Sequence, residues 1–282
     1  METDLAVGTL VELAPGVNRL IAPNPGLMTG PGTNTYLLGE KEIAVIDPGP
    51  VIDGHIDLIC ASAPGPIKWI LVTHTHPDHS PAVAALAERT GAERLGREAP
   101  DGQHQDRTFE PDRILENGEI FKTAEFRLEV VHTPGHASNH LCYLNDALGW
   151  LFTGDHIING STVVIDPPDG NMSDYLNSLE RLMDKVLTVI APGHGDPIES
   201  PYEAIDWIIK HRIEREAKVV AVLEKHSNST TAELLPHVYG DVHEGLHRIA
   251  ERSLLAHLLK LEDDERAIKD GDRWSLAVMV GI

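Results

Sequence analysis

The stretch "THTHPDHS", Thr73 to Ser80, sets three histidines and an aspartate within six positions, directly after the apolar run "WILV". A hydrophobic core has no use for such a segment, because every buried ring or carboxylate without a partner is costly. The segment is therefore either a solvated, histidine-rich loop or a place where a cation is held. "KWILVTH" reads as a β-strand, and Pro77 biases His76 to extended backbone. Ser80 is placed to cap a helix, with Pro81 at its first position and Gly91 at its end. That helix would turn Asp78 and His79 to a different side from His74 and His76.

The same pattern recurs along the chain. "TNTYLLG", "EIAVIDPG", "FRLEVVHTPG", "HLCYLND", "GWLFTGD" and "LTVIAPGHG" are short strand-like runs ended by Gly, Pro, Asn or Asp. His136 follows one of them, Asp155 another and His194 a third. Strand ends can be gathered at one edge of a sheet, where α/β folds place their sites. Five histidines and two aspartates exceed the positions of one tetrahedral ion and suffice for two ions sharing a carboxylate. Imidazole and carboxylate together suit zinc, iron or manganese.

A second helix is expected near Ser173–Val186, and strands mixed with helices predict an α/β layered domain. From Pro201 the pattern turns helical. Ile205, Ile208, Ile209, Ile213, Ala217, Val220 and Leu223 follow one helical period, Thr231–Tyr239 is a second stretch, and Leu246 to Leu261 a third. "AIKDGDRWSLAVMV" then reads as two strands joined by a glycine turn. Three helices and a hairpin look like a winged helix.

Composition sets limits. The 282 residues carry a formal net charge of −21, which discourages contact with anionic membranes and nucleic acid. Cys60 and Cys142 form no CxxC pattern, so a thiolate zinc cluster is excluded and a disulfide framework is not expected. No secretory signal and no bilayer-spanning run is evident, so the reading is a cytoplasmic protein without membrane contact. The sequence leaves oligomeric state open. There is no G-x-S-x-G elbow to support a serine hydrolase.

"HTHPDH", "TPGH", "FTGD" and "PGHG", in that order between about Gly32 and Gly195, resemble the motifs of the metallo-β-lactamase superfamily. The resemblance implies an αββα sandwich. It implies that His74, His76 and His136 hold one metal, that Asp78, His79 and His194 hold the other, and that Asp155 bridges them. "NPGLMTGPGTNTYLLG", "PPDGNMSDYLNSL" and the C-terminal helices are similar to the lactamase-beta-2-like branch, which carries a winged-helix-like domain and includes some members that cleave single-stranded RNA. The expected division is residues 1–200 for the hydrolase and 201–282 for a linker helix and winged-helix-like domain.

The remaining histidines divide differently. His132 reads as structural, His104 as solvated, His257 as a core residue, and His243 and His247 as surface or packing residues. His140 either orients a ligand or meets the substrate. "GPGTN" lacks a P-loop lysine and reads as a turn beside the pocket. The expected reaction is hydrolysis by a hydroxide held between two divalent ions, zinc first, with Asp78 both ligand and catalytic group. The favoured substrate is a small ester, thioester or lactam-like molecule. Endoribonuclease action is the alternative, but residues 226–282 carry six Lys or Arg against ten Asp or Glu, which ill suits a phosphate backbone. A non-catalytic metal-binding scaffold is the third reading.

Overall fold

In the computed structural model, which describes residues 6–277, the short β-branched runs pair into two sheets. The first is ordered as the chain runs: β1 (Val11–Ala14), β2 (Val17–Ile21), β3 (Asn34–Leu38), β4 (Ile43–Ile46), β5 (Ile67–Leu71), β6 (Glu93–Gly96) and β7 (Arg113–Ile114). Strands β1 to β4 form an antiparallel meander, and β4 to β7 are parallel. Parallel neighbours need crossovers. Helices α1 (Asp53–Ser62) and α2 (Val83–Thr90) supply the first two. The second sheet has β8 (Ile120–Lys122), β9 (Arg127–His132), β10 (Leu141–Asn145), β11 (Trp150–Gly154) and β12 (Val189–Pro192), with α3 (Met172–Leu182) crossing between the parallel pair β11 and β12.

Strand alternation divides the core. In β3, Tyr36 and Leu38 face the other sheet, where they join Leu128, Tyr143 and Phe152. Leu37 faces the opposite way and packs with Ile56 and Ile59 of α1 and Leu86 of α2. On the far side, Tyr175, Leu179 and Leu182 of α3 cover Cys142, Leu144 and Leu151. Helix, sheet, sheet, helix is the expected αββα sandwich. The Tyr36 and Phe152 rings meet edge to face at 5.1 Å across the middle layer.

Two helix boundaries differ from the sequence reading. Helix α2 starts at Val83, not at Pro81, and Ser80 does not cap it. The reason is a tight turn over residues 76–80, in which the amides of His79 and Ser80 donate to the His76 carbonyl. The Ser80 hydroxyl instead donates to Asp106 Oδ2 at 2.7 Å. Gly91 does end the helix, in the left-handed conformation. Helix α3 begins after Asn171, whose side chain accepts the Asp174 amide, and ends at Leu182, leaving Val186 exposed.

Helix α4 (Pro201–Lys225) has Pro201 in its first turn. Its buried face runs through Ile205, Ile208, Arg212, Arg215, Val219 and Leu223, while Ile213 is 56% exposed. The apolar period misplaced that face because two arginines occupy it. Ile205 and Ile208 pack into the sandwich, whereas Val219 and Leu223 pack with the C-terminal helices. There β13 (Ser229–Thr230), α5 (Thr231–Val238), α6 (His247–Asp263), β14 (Ala267–Asp270) and β15 (Arg273–Leu276) form the winged-helix-like body around Trp274. Residues 278–280 of the expected last strand lie outside the described residues. Among the described residues, no helix is long and apolar enough to cross a membrane.

Candidate metal centre

The four strand ends meet at one edge of the sandwich. The loop after β5 brings His74, His76, Asp78 and His79, the β9–β10 loop brings His136, and Asp155 and His194 follow β11 and β12 directly. The side chains form two adjoining groups, His74 with His76 and His136, and Asp78 with His79, Asp155 and His194, each with its ligand atoms within 4.8 Å of one another. In the first, Nδ1 of His76 lies 3.0 Å from Nε2 of His74 and 2.9 Å from Nε2 of His136. In the second, Nε2 of His194 lies 3.2 Å from both Asp78 Oδ2 and Asp155 Oδ1. Asp155 spans the two groups, with Oδ2 3.7 Å from His136 Nε2.

The donors fit divalent cations. His79 Nε2, His194 Nε2 and Asp155 Oδ1 are buried and have no directed hydrogen bond, although they crowd together. Native proteins do not leave such atoms idle. In four of the five histidines the opposite ring nitrogen is engaged. Nδ1 of His136 donates to the Val164 carbonyl at 2.7 Å, and Nδ1 of His194 to the Gly32 carbonyl at 3.2 Å. Nδ1 of His79 donates to Asp47 Oδ2 at 2.9 Å. Nδ1 of His74 donates to the Thr73 hydroxyl at 3.0 Å, which itself donates to Asp47 Oδ2 at 2.6 Å. In the neutral ring each bond fixes the tautomer that leaves Nε2 with a free lone pair.

Local backbone makes this crowding possible. A Cβ on Gly193 would stand 2.8 Å from His79 Cε1 and 2.9 Å from Asp155 Oδ1, so only glycine lets β12 approach. Asp47, which sequence reading passed over, adopts φ 50° just after β4 and is 2% exposed. It also accepts the Thr73 amide at 2.8 Å. Its signal was present: it too is an acidic residue at a strand end, in "VIDPG".

Electrostatics separates the two groups. Burial, then neighbouring imidazoles, holds His74 and His76 neutral, His76 down to about 3. Burial would also lower His79 and His194, but Asp155 and Asp78 outweigh it, raising His194 to about 10. Burial would raise both carboxyls, and the same two imidazoles outweigh it and hold them ionised. The second group therefore carries its own balancing protons, which a divalent cation would displace.

A cavity of about 580 Å³ opens onto His136, Asp155 and His194. Leu27, Met28 and Pro31 form one lip, which places the "GPGTN" turn beside the pocket as expected. Ile158, Val163 and Val164 line its floor, and Tyr239, Val242 and Ile249 of the C-terminal body close the far wall beside Arg212 and Arg215. Sequence reading missed this wall. His140 does not border the cavity. It is fully buried, stacks on His74 at 4.9 Å between ring centres, and places Nδ1 3.0 Å from the Thr133 hydroxyl. His132 contacts Arg97 and the Ser138 carbonyl, His257 is fully buried, and His104 is exposed. His243 caps the short helix before α6, and His247 contacts the Val242 carbonyl.

Comparisons with known proteins give the family. Residues 28–194 match the family model of the metallo-beta-lactamase superfamily, and residues 230–274 match that of the beta-lactamase associated winged helix domain. The chain is 32% identical to a beta-lactamase-like protein 2 homolog of Drosophila melanogaster, over 92% of this chain and 91% of the relative. It is 31% identical to an atrochrysone carboxyl ACP thioesterase of Passalora fulva, over 81% of this chain and 69% of that protein. A metallo-beta-lactamase family protein of Thermus thermophilus superposes with a TM-score of 0.79 at 25% identity, covering 94% of this chain and all of the other.

Proposed function

Because the chain belongs to the metallo-beta-lactamase superfamily and is a metallohydrolase, we propose that it uses a dinuclear metal centre, zinc first, to hydrolyse small acyl thioesters or esters. Residues 1–200 are then the hydrolase, and 201–282 a linker helix and winged-helix-like body that walls the pocket. His74, His76 and His136 would hold one ion, Asp78, His79 and His194 the other, and Asp155 would reach both. Bound there, the ions supply Lewis-acid activation of water and of the scissile carbonyl.

The chain's own residues do the rest. Asp78, 26% exposed against 14% for Asp155, is the more open carboxylate and receives the proton of the attacking water. Asp47 and Thr73 hold the imidazoles in register. His140 supports the His74 ring from behind rather than touching substrate. The apolar lip and floor take the acyl chain and exclude water from the reacting carbonyl.

The observation that carries this reading is the apolar cavity opening directly onto His136, Asp155 and His194. The thioesterase name of the Passalora fulva relative supports the same substrate class. RNA cleavage has less support, since acidic side chains outnumber basic ones in residues 226–282. The test assays zinc-loaded protein on S-acyl N-acetylcysteamine thioesters by thiol release, with labelled single-stranded RNA in parallel. Thioester turnover that a chelator removes and zinc restores is expected. RNA cleavage with every thioester untouched would overturn the proposal.

A further inference from the structure

Arg212 is 2% exposed, lines the cavity that opens on the metal centre, and has no carboxylate partner among the described residues. One terminal nitrogen donates to the Val163 carbonyl, and the guanidinium carbon lies 5.5 Å from the centre of the Tyr175 ring. Its Nε is buried and makes no hydrogen bond. Arginine stays charged in proteins, and a buried charge without a counter-ion is among the costliest arrangements a fold can hold.

Apart from Tyr175, its neighbours do not relieve it. Arg215, one turn on, spends its charge on Asp241 through two 2.9 Å bonds. His211 also lines the cavity, stacks on Trp207, and has a buried Nδ1 without a partner. His257, fully buried close by, has neither ring nitrogen bonded. Among the described residues that line the cavity, Asp155 of the metal centre is the one acid, in a chain of net charge −21.

We propose that Arg212, assisted by His211, is an anion subsite that selects substrates bearing a carboxylate or phosphate at the end of the acyl chain away from the scissile bond. This deepens the hydrolase reading and rests on it. His136, Asp155 and His194, which would hold the ions, open onto the cavity where the scissile carbonyl would sit. The Arg212 guanidinium, which lines the same cavity, takes the distal anion. Arg212 is thus a specificity-determining residue.

Calorimetry on the zinc-loaded protein tests this with straight-chain dicarboxylates from succinate to suberate, each against the monocarboxylate of equal length. A parallel series carries a terminal phosphonate in place of the second carboxylate. One length should bind about tenfold or more tightly than its monocarboxylate, the worth of one charge-assisted hydrogen bond. The series with the larger gain identifies the anion. Arg212→Gln should remove the gain, and Arg212→Lys should restore part of it. The kcat/KM ratio between terminal-anion and neutral thioesters should fall in step.

Equal binding of mono- and dianions by the wild-type protein would overturn the subsite, and that arm needs no variant to fold. A gain that survives Arg212→Gln would overturn it equally. An Arg212-dependent gain in a protein that hydrolyses no thioester would keep the subsite and remove the thioesterase reading.

Discussion

The Asp47 carboxylate lies 2.9 Å from Nδ1 of His79, and neither residue is more than 2% exposed. Through Thr73 the same carboxylate also reaches His74, so one buried acid orients an imidazole in each group. Asp47→Asn should therefore lower metal affinity about 10–100-fold, as loss of a ligand-orienting partner does elsewhere. Competition with a chromophoric chelator measures this, with near-ultraviolet circular dichroism to verify the fold. Unchanged affinity in a folded variant would show that the ring needs no such anchor.

His76→Ala removes the nitrogen that stands between His74 and His136. Elemental analysis after dialysis against a chelator should find about one fewer metal ion per chain, because the first group loses one of its three imidazoles. Hydrolysis should be abolished while the melting temperature of the metal-free protein stays near that of the wild type. Full metal occupancy with normal turnover would sink the ligand assignment.

His55 sets an acid limit on stability. Burial lowers its ring to about 4, and Nε2 meets the Thr35 hydroxyl at 3.0 Å. In the unfolded chain it titrates near 6.5. Between those values the unfolded state takes up the proton and the native state does not. The contribution is therefore complete above about pH 6.5 and is lost as pH falls towards 4. A shift of this size corresponds to about 3 kcal/mol. Denaturant melts at pH 7 and pH 5 should show a shallower decline for His55→Leu than for the wild type. Parallel declines would mean the native ring takes up its proton as readily as the unfolded one.

Arg215 ties α4 to the α5–α6 junction, donating to the Val238 carbonyl at 2.7 Å and to both oxygens of Asp241. Asp241 is 54% exposed, so solvent weakens the ion pair. Asp241→Asn should cost about 1–2 kcal/mol, as the loss of charge-assisted hydrogen bonds that are partly hydrated. Arg215→Met should cost more, since it also frees a buried carbonyl. Equal melting temperatures for all three proteins would assign the pair no structural weight.

The layered fold and the ligand cluster were legible because the informative residues stand at strand ends, where chain direction alone gathers them. Asp47 stands at such an end too, yet an aspartate before Pro-Gly is also ordinary turn chemistry, which hid it. Strands β1, β6, β7, β8 and β13 were not read, as they are short, partly exposed and without clear alternation, and β2 was not read because Arg19 and Asn18 interrupt its apolar run. Arg212 escaped for a different reason. Periodicity assigns helix faces by apolarity, so it cannot see a face whose buried members are charged, and it promoted the exposed Ile213 instead. The cavity wall was invisible because it depends on how two distant bodies dock.

Helix α4 has a mechanical consequence. Its first turns belong to the interior of the sandwich and its last turns to the interior of the winged-helix-like body. Neither interior can come apart without stripping half of the same rod. The chain should therefore melt as one calorimetric unit, with a single heat-absorption peak and no partly unfolded species, despite matching two separate family models.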